Sequence, residues 1–198
     1  MASAGPSQVA PSTPPAGAAD EATLDRLVQR AISADMSIRS SFAASLWKRA
    51  AAVATALHGA ETFAAAYCTL KQAFSLCGQS GVEVSPVDKA ALKAEAWALV
   101  SSVLPLLSTR MEDNTLLPGR CTREEVEFFK RFRLATHAAN NAPPPPARGL
   151  QVHGFGVGYA VTLNAAVLLL RQFVHDPHLP PAALVFVLRA VDMVRAAA

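Results

Sequence analysis

Residues 60–77 read AETFAAAYCTLKQAFSLC. Phe63, Tyr67, Leu70, Phe74 and Cys77 recur at alternating steps of four and three. That is the step of one face on a helix of 3.6 residues per turn, whereas a half-buried strand would alternate at every second residue. Alanine, the best helix former, fills much of the remainder, and no proline or glycine interrupts it. The stretch predicts a helix over Ala60–Cys77, closed by Gly78-Gln79-Ser80-Gly81.

The same periodicity extends in both directions. Leu46, Ala50, Val53 and Leu57 mark a helix over about Ile38–Leu57, stopped by His58-Gly59. Upstream, Leu24, Leu27, Val28 and Ile32 share a face of a helix that Asp20 or Thr23 can cap and that runs to about Ala34. Asp35 and Ser37 then restart the chain. Downstream, Ser85-Pro86-Val87-Asp88 reads as a helix start with proline in the first turn. The helix continues to about Ser108, with Leu92, Leu99, Val103 and Leu106 as its stripe. Ala96, Val100, Leu104 and Leu107 widen that stripe, and Pro105 removes a backbone donor near its end. Thr122-Arg123-Glu124-Glu125 is a capping box that opens a fifth helix to about Ala139. Residues 140–149 contain the run Pro143–Pro146 and form a rigid, extended connector. A sixth helix spans about Gly156–His175. Pro177, Pro180 and Pro181 part it from a seventh, about Ala182–Ala197. No strand-like alternation competes. The expected fold is all-α, a bundle or cylinder of six or seven helices forming one domain over 20–198 behind a disordered tail, 1–19.

Composition narrows the function classes. In 198 residues, 52 % are hydrophobic and 17 % charged, an apolar balance for a bundle. A net charge of +3 is too weak a basic signal to point to nucleic acid. Three cysteines without CxxC spacing argue for a reducing compartment rather than a disulfide framework. The first residues lack both the basic start and the apolar run of a signal peptide, so a cytoplasmic location is expected.

The most apolar stretch is GYAVTLNAAVLLLRQFV, residues 158–174. A membrane-spanning helix needs about 20 apolar residues. Here the run from Phe155 to Leu170 contains Asn164, opens with Gly156 and Gly158, and stops at Arg171-Gln172. A buried helix, or the wall of an apolar cavity, fits better than a span.

Catalytic and metal signals are weak. His175 and His178 are separated by the helix breaker Pro177 and lack a third ligand nearby. Gly154, Gly156 and Gly158 do not match a nucleotide-binding loop. No nucleophile–base pair stands at a readable spacing, so an enzyme is not expected, and no cofactor is implied. The cations are more informative. Lys130, Arg133 and His137 recur at i, i+3, i+7, Arg110 and Arg120 flank the preceding loop, and Lys48-Arg49 lies in the second helix. Arg131 follows Glu127 by four residues, which an ordinary ion pair explains. A solvated basic face accounts for such a pattern. So does a head-group site, because the planar guanidinium fork grips two phosphate oxygens at once.

Four segments, taken in order, resemble the tumour necrosis factor alpha-induced protein 8-like (TIPE) family. SLWKRAAAVATALHGAETFAAAYCTLKQAF (45–74) is similar to its first helix, break and Glu…Tyr…Lys pattern, here Glu61, Tyr67 and Lys71. AWALVSSVLPLLSTRMEDN (96–114) resembles its apolar helix with an arginine near the end, and TREEVEFFKRFRLATH (122–137) its Arg-Phe-Arg helix, here Arg131-Phe132-Arg133. TLNAAVLLLRQFVHDPHL (162–179) resembles the long apolar helix ending in His-Leu, here His178-Leu179. The family's Lys-Ser-His-Gly-Arg segment is absent, with Pro180-Pro181 in its place, the last helix is shortened, and the N-terminal helix and proline connector are additions. The resemblance is that of a distant member.

The resemblance implies a helical cylinder around an apolar cavity that holds phospholipid acyl chains, with a basic mouth for phosphoinositide head groups. It implies lipid transfer in signalling or cell death, with transient, peripheral contact to anionic membrane. By position it places Lys48, Arg110 and Arg133 at the mouth. Lys48 lies about 200° from Leu46 on an ideal helix, so Arg49 is the better placed of the two; Lys130 joins Arg133 on its stripe. Leu99, Val103, Leu106, Phe128, Phe132, Leu163, Val167 and Leu170 are expected to face the interior. The competing expectation is a helical adaptor whose hydrophobic groove takes a partner helix.

Overall fold

A computed structural model describes residues 19–112, 168, 170, 172, 173 and 181–197. Among these residues the chain is all-helical. The helices are α1 (Glu21–Met36), α2 (Ser40–His58), α3 (Phe63–Val82), α4 (Pro86–Glu112) and α5 (Pro181–Ala197). The expected fifth helix, the proline connector, most of the sixth helix and the N-terminal tail lie outside the described residues.

Local chemistry sets most boundaries. The Thr23 amide donates to the Asp20 carboxylate at 2.6 Å and caps α1. That bond holds the Asp20 carboxyl below its ordinary value. Gly59, at φ 96°, closes α2 with its amide on the Thr55 carbonyl. Thr62 caps α3, so that helix begins at Phe63 rather than Ala60. The Ser85 hydroxyl accepts from the Asp88 amide at 3.4 Å where α4 opens.

One expectation is corrected. Gly78 and Gly81 do not end α3, which continues to Val82. Glycine inside a helix costs only about 1 kcal/mol relative to alanine. Burial of Leu76, Cys77 and Ser80 on this last stretch outweighs that cost. Gly78 also has a packing role, since a Cβ there would stand 3.1 Å from the Ser40 hydroxyl of α2.

The helices pack in sequence order, α1 on α2, α2 on α3 and α3 on α4, with α5 touching α4. Short connections make successive helices antiparallel. The core joins Leu24 and Val28 of α1, Leu46 and Trp47 of α2, Phe63 and Leu70 of α3, and Val100 and Leu107 of α4. Of the expected sixth helix, Leu168, Leu170 and Gln172 are helical, and Leu168 is buried. The Phe173 ring packs on Trp97 of α4, with centroids 4.8 Å apart.

Candidate functional site

α4 carries the apolar surface nearest to the expected interior. Val103 is buried, whereas Leu99 and Leu106 are half-buried against the core. Leu170 is 41 % exposed. Phe128, Phe132, Leu163 and Val167 lie outside the described residues. Over Pro86–Thr109, α4 is also long and apolar enough to cross a membrane. Its packing on α3 through Ala96, Val100, Val103 and Leu107 makes it a member of the bundle. Leu92, Trp97, Leu99, Leu104 and Leu106 are half-buried against the core, and the exposed positions between them include the small or polar Ala94, Glu95, Ala98 and Ser102.

The cations gather on the α1–α2 face. Arg26, Arg30 and Arg49 line a groove of about 350 Å³ together with Thr23, Leu27 and Gln29. Arg30 continues into a second recess of about 170 Å³ with Ser33, Ser37, Arg39 and Phe42. The spacing i, i+4 puts Arg26 and Arg30 one turn apart on α1. Arg26 is braced within its own helix, its guanidinium donating to the Ala22 carbonyl and the Thr23 hydroxyl. The Arg30 guanidinium lies 6.0 Å from the Phe42 ring centroid. Among the described residues, no carboxylate pairs with Arg26, Arg30, Arg39 or Arg49.

Of the sequence-selected cations, Arg49 belongs to this groove, while Lys48 is exposed and does not line it. The side chain of Arg110 and the whole of Lys130 and Arg133 lie outside the described residues. Arg26, Arg30 and Arg39 were not singled out from sequence, although the run Arg26-Leu27-Val28-Gln29-Arg30 carries the i, i+4 signal.

A second feature that sequence reading did not show is a polar knot in the three-helix core. The Asp35 carboxylate accepts from Trp47 Nε1 at 2.9 Å and from the Ser75 hydroxyl at 2.7 Å. Lys71 Nζ stands 3.3 Å from the same carboxylate and 5.5 Å from the Trp47 ring. α1, α2 and α3 are thereby tied at one half-buried point. At the opposite end, Glu21 of α1 meets His58 of α2 at 3.2 Å.

Among the described residues, the thiols Cys68 and Cys77 are buried. Burial pushes Cys68 up to about 12 and Cys77 up to about 11, so both stay protonated at neutral pH. An activated cysteine shows the opposite shift.

No protein-family model, characterised protein or solved structure matches the chain.

Proposed function

We propose that the chain is a lipid-binding or lipid-transfer protein, distantly related to the TIPE family. It holds phosphoinositide or related phospholipid acyl chains against an apolar interior bounded by α4. The supporting observation is α4, a helix long and apolar enough to cross a membrane, whose Leu92, Trp97, Leu99, Leu104 and Leu106 are only half-buried against the core. Exposed to water, such a surface is costly; covered by acyl chains, each CH₂ removed from water contributes about 0.8 kcal/mol. A phosphate head cannot be buried unpaired. Arg26, Arg30 and Arg49, which have no ion-paired carboxylate among the described residues, supply the charge it needs. On this reading the protein works in the cytoplasm and visits anionic membrane transiently.

The same half-buried face of α4 also suits a partner helix lying along it, the mode of an adaptor. Native mass spectrometry of the purified full chain separates the two. Co-purifying phospholipid, displaced by added phosphoinositide, is the expected result. A clean apo mass that does not change after incubation with phospholipid vesicles overturns lipid binding and leaves the adaptor reading.

A further inference from the structure

The α1–α2 corner closes with a left-handed residue, at a cost to the fold. The Arg39 amide donates to the Ala34 carbonyl at 3.1 Å and the Ile38 amide to the Asp35 carbonyl at 3.2 Å. This pair of bonds is the Schellman closure, whose left-handed position is usually glycine. Here it is Ile38, at φ 57°. A β-branched residue is a poor choice for that conformation. Nor does the side chain recover the cost by burial, since it is 84 % exposed. Stability does not explain an isoleucine at this position.

Ile38 has company. Met36 and Phe42 flank it and are also exposed. In the antiparallel meander the α3–α4 corner lies at the same end of the bundle. The approach of Ser40 to Gly78 and the bond from Ser75 to Asp35 tie the two corners together. At that second corner Val82 is 74 %, Val84 92 % and Val87 77 % exposed. Six large apolar side chains thus project from one end. They stand at two corners, Ile38 and Val84 in the connections and the others at the adjoining helix ends, a form suited to a fluid apolar layer.

The charges around them are complementary to an anionic surface. Arg30 and Arg39 line the recess beside Phe42. Two nearby carboxylates are engaged locally: Asp35 is held by Trp47, Ser75 and Lys71, and Glu83 accepts from the Val84 and Ser85 amides. Asp88 sits in the first turn of α4, where the helix dipole favours it, beside Lys89.

We infer that this end of the bundle, Met36–Phe42 with Val82–Val87, is the surface by which the protein docks on an anionic bilayer. The apolar tips enter the interface while Arg30 and Arg39 meet lipid phosphates. The inference rests on the lipid-binding reading and assigns it a contact surface.

Co-sedimentation of the full chain with phosphatidylcholine vesicles, with and without phosphatidylserine, tests it. Binding is expected on the anionic vesicles and much less on the neutral ones. Ile38→Gly should melt later than wild type yet bind about tenfold more weakly, and Arg39→Ala about fivefold more weakly. An Ile38→Gly protein that is more stable and binds as wild type overturns the surface, because it separates folding from docking. A concentration-dependent dimer abolished by Ile38→Gly also overturns it, assigning the end to a second copy. If vesicle binding is absent while native mass spectrometry still finds lipid, the docking surface fails and the lipid-binding reading stands.

Discussion

Asp35 is the residue on which the most structure converges. It accepts bonds from Trp47 and Ser75 and pairs with Lys71, so one carboxylate fixes the mutual placement of α1, α2 and α3. Asp35→Ala leaves a buried indole N–H and an ammonium without their acceptor, while the Ser75 hydroxyl keeps the Lys71 carbonyl, and is expected to cost about 2–4 kcal/mol in urea unfolding. Asp35→Asn keeps the shape and one acceptor and should cost less. Ile38 illustrates the reverse. Ile38→Gly removes left-handed strain and should raise the unfolding free energy by about 1 kcal/mol. The thiols set an alkaline limit. The folded-state values of Cys68 and Cys77 are raised from the ordinary 9 to about 12 and about 11. Their contribution to stability is therefore fully present below pH 9 and is lost as the pH rises towards 11–12. Tyr67, also raised by burial, acts with the same sign. A urea midpoint that stays constant to pH 9 and then falls, with a shallower fall in Cys68→Ala, is the expected result.

Helix α3 shows what a sequence discloses about an element and what it does not. Its stripe from Phe63 to Cys77 was legible because each residue's neighbours lie three or four positions away. The stops and starts at Asp20, Gly59 and Ser85-Pro86 were legible for the same reason, since caps are local chemistry. The passage of α3 through Gly78 and Gly81 was not, because it depends on burial against distant helices. Asp35 lay beyond reach for a like cause: its partners Trp47 and Ser75 stand 12 and 40 positions along the chain. On the candidate site, Arg49 was readable from its flank of α2, whereas its grouping with Arg26 and Arg30 needed the packing of α1 on α2. The two glycines of α3 now differ in what they predict. Nothing lies within 4 Å of a Cβ at Gly81, so Gly81→Ala should stabilise by about 0.5–1 kcal/mol. Gly78→Ala meets the Ser40 hydroxyl at 3.1 Å and should lose that gain. Thermal melts of the two variants, side by side, check the contrast.

At the scale of the whole molecule, polar and apolar work are divided between faces. The arginine groove lies along α1–α2, a half-buried apolar face lies on α4, and the exposed corners stand at one end of the bundle. The proposed lipid carrier would use all three. The order of packing has a further consequence, which concerns how the chain folds. Each of the first four helices packs on its neighbours in sequence. Contacts of that kind close short loops, and chains built from them fold in microseconds to milliseconds. Hairpin α1–α2 can form before α3 is synthesised, and α3 can add to it before α4. Stopped-flow refolding of the full chain should therefore show a first helical phase within milliseconds, slowed by Asp35→Ala, which removes the bonds that draw α3 onto the hairpin. On the ribosome the N-terminal helices would already be packed while the apolar residues of α4 are still emerging, giving that helix a surface to settle on as soon as it leaves the exit tunnel.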